Sequence, residues 1–134
     1  MIVLDASVIL KWIFSNEEGG NEALRWKNDH ASRHETVAVP DLLFYEVANV
    51  LATKSRLGKE ASAEAFSVLW DFNLECFDFG RDEFLSAISL SAEYEISLYD
   101  AAYIELAVRL NCSFVTADKK LYGKTRMLKT VALL

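Results

Sequence analysis

The sequence has few of the residues that break or cross-link a chain: its 134 residues include one Pro, five Gly and two Cys. Because 52% of the residues are hydrophobic, this shortage of Pro and Gly excludes a disordered or low-complexity protein. No hydrophobic run approaches the roughly 20 residues of a membrane helix, and no basic leader precedes the first apolar residues. We therefore expect one compact cytoplasmic domain that covers residues 1–134.

Ligands for zinc are also scarce. Cys76 and Cys112 lie in apolar segments without CxxC spacing, and we expect both to be buried, reduced thiols. His30 and His34 lie close together in a predicted surface segment, where we expect both to be exposed to solvent. Since no HExxH pattern occurs either, the sequence does not favour a zinc site.

The charge is acidic overall, with 20 acidic and 14 basic residues and a formal net charge of −6. This excess argues against a protein that coats nucleic acid through bulk electrostatics. One basic run without an acid lies near the end of the chain: Lys119, Lys120, Lys124, Arg126 and Lys129. Charge alone does not distinguish an ordinary solvated face from a binding surface here.

Strand and helix patterns alternate along the chain. Short apolar runs predict strands at residues 1–4, 36–39, 74–77, 113–116 and 130–133. Helical spacing predicts helices at residues 8–14, 20–31, 41–56, 60–72, 82–94, 100–110 and 118–123. Pro40 and Asp41 suit the first turn of the third helix, and Gly58 suits its end. The alternation predicts an α/β fold in which helices cover both faces of a parallel sheet.

Four acidic residues lie where such a fold places its chemistry, which is outside the carboxyl ends of the strands. Asp5 follows the first predicted strand directly, and Asp118 lies two residues beyond the fourth; each also suits a helix N-cap. Glu46 lies on an apolar face of the third helix, where an unpartnered carboxylate would be costly; the alternative is a partly exposed glutamate at a helix edge. Asp100 opens the sixth helix, with Ser97 as the competing cap.

Gathered together, these acids predict a metal site. Two carboxylates about 4 Å apart repel each other by roughly 4 kcal/mol at an effective dielectric near 20, so a cluster needs a cation. Oxygen ligands select hard ions, and we therefore expect Mg²⁺ or Mn²⁺ at a cluster of Asp5, Glu46, Asp100 and Asp118.

Four segments resemble the motifs of the PIN domain family, and within it the VapC-type toxins of toxin-antitoxin pairs. In chain order they are VLDASVILKW, PDLLFYEVANVL, SLYDAAYIELA and FVTADKKL, and the similarity extends over the whole chain. The resemblance implies a three-layer α/β/α sandwich with a mainly parallel five-stranded sheet. It also implies that the four acids form the active site, with Ser7 and Thr116 as hydroxyls that hold water or orient a carboxylate. Ser7 could equally be an ordinary first-turn residue, and Thr116 the last residue of its strand.

The activity that the resemblance implies is that of a Mg²⁺- or Mn²⁺-dependent endoribonuclease. Water would attack a phosphodiester bond of RNA and leave 5′ phosphate and 3′ hydroxyl ends. The implied partners are RNA, a cognate antitoxin and a second copy of the chain. The basic run, and with it Lys11, would then have phosphates to contact.

Two other functions fit some of the same residues. A catalytically silent scaffold or binding module could have its acids occupied by structural pairing. A phosphoryl-accepting α/β module would also have Asp at a strand end, but it normally needs a second acid beside Asp5, where Leu4 and Ala6 stand.

The third and fourth predicted helices carry more apolar residues than one core face needs: Leu42, Phe44, Tyr45, Phe66, Leu69 and Trp70. This excess predicts self-association, and the resemblance implies that the assembly is a twofold dimer. The three tryptophans lie at helical spacing among aliphatic residues, which favours core or dimer packing over stacking on bases.

Overall fold

A computed structural model describes all residues, 1–134, and contains one five-stranded sheet. Its strands are β1 (Ile2–Leu4), β2 (Val37–Pro40), β3 (Glu75–Phe77), β4 (Ser113–Thr116) and β5 (Val131–Leu133). Every neighbouring pair is parallel, and the order across the sheet is β3-β2-β1-β4-β5. The order reverses at β1, so β1 and β4 form the central pair at which an open α/β sheet binds its ligand.

Seven helices complete the fold. They are α1 (Ala6–Ile13), α2 (Gly20–Ala31), α3 (Leu42–Thr53), α4 (Lys59–Asp71), α5 (Arg81–Tyr94), α6 (Leu98–Arg109) and α7 (Lys119–Thr125). Helix α6 contacts the three central strands and is covered by α5, while α1 and α3 contact each other and the sheet, with α2 and α4 packed against them. The result is the expected three-layer α/β/α sandwich, with a sheet that is entirely parallel.

The hydrophobic core is densest around β1 and α6. Val3 and Leu4 of β1 are completely buried, and all seven residues from Ala101 to Ala107 of α6 are buried as well. A helix that is buried on every side is enclosed by neighbours all around, here by the sheet and by α5. The ring of Tyr103 stacks on that of Phe114 in β4, with centroids 5.9 Å apart and planes at 13°.

Most predicted elements are present, but several boundaries were wrong. Helix α3 ends at Thr53 rather than at residue 56, because the amides of Lys54 and Ser55 both donate to the carbonyl of Val50 and close the last turn. Gly58, with a positive φ of 82°, leads into α4 rather than ending α3. Pro40 belongs to the end of β2, where it pairs with Phe77, and not to the first turn of α3.

The predicted surroundings of Cys76, Cys112 and His30 were also wrong. Both cysteines are free thiols, but Cys76 is exposed on the edge strand β3, and Cys112 is only half-buried. The ring of His30 is not exposed: its Nε2 lies 3.1 Å from the Phe72 carbonyl, and its Nδ1 accepts from the Val37 amide at 3.1 Å. His34 is exposed as predicted.

None of the helices has both the length and the apolar content needed to cross a membrane.

Candidate active site at the ends of β1 and β4

Asp5 lies at the end of β1, 6% exposed, and caps helix α1. Its Oδ1 accepts hydrogen bonds from the Ser7 hydroxyl at 2.5 Å and from the Val8 amide at 3.2 Å. Its Oδ2 accepts from the Thr116 hydroxyl at 2.5 Å. All three donors are neutral, so Asp5 is a buried carboxylate without a cationic partner.

The hydroxyls of Ser7 and Thr116 connect Asp5 to the turn that follows β4. The Ala117 amide donates to the Ser7 hydroxyl at 2.8 Å, and the Asp118 amide donates to the Thr116 hydroxyl at 3.0 Å. Each hydroxyl thus accepts from the backbone of this turn and donates to Asp5. The structure therefore brings together both hydroxyls that the resemblance singled out, in a position that orients a carboxylate.

Burial is the main influence on Asp5. It raises the pKa of the Asp5 carboxyl from its ordinary 3.8 to about 6, although the bonds from Ser7, Thr116 and Val8 act in the opposite direction. The negative charge of Asp100 raises the pKa further. Asp5 therefore lies within electrostatic reach of an acid on a different helix.

Glu46 is half-buried on α3, between the buried position and the partly exposed helix edge that its sequence allowed. The Tyr103 hydroxyl donates to Glu46 Oε1 at 2.6 Å, which provides the partner that a buried carboxylate needs. Burial raises the pKa of Glu46, the bond from Tyr103 opposes this, and the charges of Asp5 and Asp100 raise it further. Sequence reasoning did not assign Tyr103 to the site, although its spacing of three residues from Asp100 places both on one helix face.

Asp100 is not the cap of α6. Ser97 has that position, and its hydroxyl accepts from the Asp100 amide at 3.0 Å, so Asp100 lies within the first helical turn. Burial raises the pKa of the Asp100 carboxyl, and the charge of Asp118 adds to this, while a hydrogen bond from the Ser97 side chain to the carboxyl and the charge of Lys124 lower the pKa.

Asp118 is exposed and caps α7, as one of its two interpretations predicted. Its Oδ1 accepts from the amides of Lys120 at 2.9 Å and Leu121 at 3.0 Å. Asp118 also acts electrostatically on Asp100. Capping and membership of the acidic cluster are therefore compatible, since the cap uses Oδ1 alone.

The four acids form a chain of mutual repulsion: Asp118 acts on Asp100, and Asp100 and Asp5 both act on Glu46. No three His, Cys, Asp or Glu side chains have the spacing of a closed metal site in this arrangement. The chemistry of the donors nevertheless fits a hard divalent cation, because all four are carboxylates and Asp5 is buried with neutral partners only.

The basic residues beside the cluster are partly neutralised. Lys11 pairs with Glu17 at 3.5 Å, and Lys119 pairs with Glu18 at 3.8 Å. Both lysines line a polar cleft of about 580 Å³ that opens next to the turn after β4. Lys124 donates to the Glu95 carbonyl at 2.7 Å and is the cation that acts on Asp100.

Comparisons with known proteins agree with this fold. Residues 2–126 match the model of the PIN domain family, described as "PIN domain". The chain is 32% identical over 133 residues to Ribonuclease VapC3 of Pyrobaculum aerophilum, which covers 96% of this chain and 98% of that protein.

Two solved structures share the fold at lower identity. VapBC2 of Rickettsia felis, bound to a DNA fragment from its promoter, superposes with a TM-score of 0.72 at 17% identity and covers 100% of this chain and 98% of the other. VapC20 of Mycobacterium tuberculosis, described as a sarcin-ricin loop cleaving toxin, superposes with a TM-score of 0.68 at 17% identity. The match covers 92% of this chain and 94% of VapC20. The chain belongs to the PIN domain family, and over nearly its whole length it is similar to a ribonuclease of the VapC type.

Proposed function

We propose that this protein is an endoribonuclease that requires Mg²⁺ or Mn²⁺ and serves as the toxin of a toxin-antitoxin pair. The observation that carries this proposal is the mutual electrostatic influence of Asp5, Glu46, Asp100 and Asp118, which come from four separate segments. The name of the relative, Ribonuclease VapC3, and the description of VapC20 as a sarcin-ricin loop cleaving toxin support the choice of RNA as substrate.

In this mechanism Asp5, Glu46, Asp100 and Asp118 would hold the divalent cation, which would supply activation of water and polarisation of the phosphoryl oxygen. The Ser7 and Thr116 hydroxyls keep the Asp5 carboxylate in one orientation. Glu46 accepts a hydrogen bond from Tyr103 on Oε1, which leaves Oε2 as the oxygen that would bind the cation. The basic run around Lys124 contacts the phosphates that flank the cleaved bond.

The test is cleavage of total RNA by the purified protein with Mn²⁺, with excess EDTA, and with Mn²⁺ restored. We expect cleavage only when the metal is present, and none from an Asp5→Asn variant. Asp71→Asn removes an exposed carboxylate at the end of α4 and is the matched control that should cleave like wild type. Cleavage that persists in excess chelator contradicts the metal requirement, and a native but inactive wild type favours the silent scaffold.

The proposed partner is an antitoxin, because structural neighbours of this fold are toxin-antitoxin complexes from Klebsiella pneumoniae and Rickettsia felis. An adjacent reading frame that encodes a small protein should yield a stable complex on co-expression, and that complex should cleave RNA more slowly than the free chain. Unchanged cleavage in a stable complex would contradict the antitoxin role.

We also propose a homodimer. Tyr45 is 75% exposed and Trp70 is 59% exposed, on α3 and α4. Trp70 contacts Phe44, with ring centroids 5.0 Å apart. The prediction for Leu69 was wrong, because this residue is buried in the core and offers no surface. Light scattering at micromolar concentration should give twice the 15.1 kDa of the chain, and a species of 15.1 kDa alone contradicts the dimer.

A further inference from the structure

Tyr103 is fixed by the core beside the acids. Its side chain is 1% exposed, and its ring stacks on Phe114 of β4. Its hydroxyl lies 2.6 Å from Glu46 Oε1, across 57 residues of sequence. Because the ring cannot move without disturbing the core, the position of the hydroxyl is set by the core packing itself.

The hydrogen bond between Tyr103 and Glu46 has a definite direction. Asp5 and Glu46 face the Tyr103 hydroxyl with negative charge, and the Ala6 amide is the donor that acts on it. Burial and these charges hold the pKa of Tyr103 well above its usual range. The direction follows from the groups themselves, because a phenol hydroxyl donates a hydrogen bond and a carboxylate only accepts one, so the 2.6 Å contact runs from the Tyr103 hydroxyl to Glu46.

The Tyr103 hydroxyl makes the one side-chain hydrogen bond that Glu46 has. A glutamate side chain has three rotatable bonds, and the bond from Tyr103 is the contact that restrains the carboxylate of Glu46. Asp5, in contrast, accepts bonds from Ser7, Val8 and Thr116. Asp100 lies three residues before Tyr103 on α6, so one helix supplies both an acid of the cluster and the group that orients a second acid from α3.

We propose that Tyr103 is a positioning residue of the active site: through its hydroxyl bond it holds the Glu46 carboxylate in the orientation that binds the divalent cation. The proposal rests on the proposed function, since it assigns to Glu46 a role in holding metal. Groups that orient metal ligands in this way typically contribute 10- to 100-fold to metal affinity or activity.

The first experiment compares Tyr103→Phe with wild type, because Phe keeps the ring that stacks on Phe114 and removes only the hydroxyl. Mn²⁺ binding to the metal-free protein is measured by isothermal titration calorimetry, and cleavage of RNA is measured in parallel. We expect the Kd for Mn²⁺ to rise 10- to 100-fold. Tyr94→Phe, at a partly buried tyrosine packed on the same core, is the matched control and should bind Mn²⁺ like wild type.

A double-mutant cycle shows whether Tyr103 acts through Glu46. Glu46→Asp retains the charge, so Mn²⁺ binding remains measurable, but it shortens the side chain by one methylene and withdraws the carboxylate from the hydroxyl. Adding Tyr103→Phe to Glu46→Asp should then change the Kd by less than twofold. If Tyr103→Phe weakens binding by the same factor in both backgrounds, the hydroxyl serves the fold in general and the proposal is wrong.

Failure of this inference differs visibly from failure of the proposed function. A wild type that binds Mn²⁺ and cleaves RNA, beside a Tyr103→Phe variant that does both equally well, overturns the role of Tyr103 alone. A wild type that binds no Mn²⁺ and cleaves nothing overturns both. Thermal melts in EDTA verify that Tyr103→Phe is folded. If that variant does not fold, Glu46→Asp alone provides the test, and a Kd for Mn²⁺ equal to that of wild type overturns the proposal.

Discussion

Thr116 donates its hydroxyl proton to Asp5 one step beyond the last paired residues of β1 and β4. Leu4 and Val115 are partners in the sheet register, and the next residues along the two strands are Asp5 and Thr116, whose oxygens lie 2.5 Å apart. The parallel register therefore aligns a carboxylate with a hydroxyl at the central edge of the sheet.

Replacement of this hydroxyl should destabilise the protein. Thr116→Val keeps the shape of the side chain but leaves Asp5 Oδ2 and the Asp118 amide without their partner. Because a buried acceptor without a donor costs about 1–3 kcal/mol, we expect the free energy of unfolding at pH 7 to fall by that amount. Urea denaturation measures it. Thr116→Ser retains the hydroxyl and should lose much less stability. If Thr116→Val is as stable as Thr116→Ser, the hydroxyl bonds do not stabilise the fold as described.

Stability without metal should depend on pH through Asp5. Its folded pKa of about 6 exceeds the ordinary 3.8, so the folded chain binds more protons than the unfolded chain between these values. The free energy of unfolding must therefore fall as pH rises from about 4 to about 6, by about 3 kcal/mol from Asp5 at roughly 1.4 kcal/mol per pH unit.

Urea titrations in EDTA at several pH values test this sign. Asp5→Asn should remove most of the decrease in the free energy of unfolding with rising pH. A smaller decrease should remain, because the pKa values of Glu46 and Asp100 are also raised. Asp71→Asn should keep the wild-type profile. If the difference between wild type and Asp5→Asn is constant from pH 4 to pH 7, Asp5 does not titrate as described.

Substitutions of Asp118 should distinguish its role as a helix cap from its proposed role in RNA cleavage. Asp118→Asn can still accept from the amides of Lys120 and Leu121 and should leave stability almost unchanged, whereas Asp118→Ala should cost about 0.5–2 kcal/mol. Both variants lose the negative charge, and both should lose RNA cleavage. Thermal melts and a cleavage assay on the same preparations decide the matter, and an active Asn variant would reduce Asp118 to a cap.

Lys124 should contribute to RNA binding in a way that depends on salt. Its ammonium group is fixed by the Glu95 carbonyl and acts on Asp100, so it lies beside the cluster. Filter binding in EDTA should show a weaker affinity for Lys124→Gln, with the slope of log K against log salt reduced by about 0.7. Lys59→Gln, at an exposed lysine that begins α4, is the control. Equal affinities of the two variants would remove Lys124 from the RNA surface.

Local patterns in the sequence were sufficient to predict most of the helices and strands. Residues 20–31 and 113–116 were predicted to the residue, because a periodic helix and a short apolar strand have clear ends there. Helix α1 begins at Ala6 rather than at residue 8, because Asp5 caps it. The edge position of β3 was not visible in its sequence, and this explains the error at Cys76.

The candidate site was predictable as a set of acids but not as a set of contacts. Strand ends and helix faces pointed to Asp5, Glu46, Asp100 and Asp118 individually. The bond between Tyr103 and Glu46 joins two helices that lie on opposite faces of the sheet, and no periodic pattern encodes which residues meet across a core. Ser97 rather than Asp100 caps α6, because its extended backbone, with ψ of 155°, suits the cap position.

The enclosure of α6 by the sheet and α5 should make the amide hydrogens of its buried segment, residues 101–107, slow to exchange with deuterated water. Helix α7 has only seven residues, of which Leu121 and Thr125 are buried, so we expect its amide hydrogens to exchange faster. The cluster of acids therefore joins two elements of different expected stability, because Asp100 lies in the first turn of α6 and Asp118 caps α7.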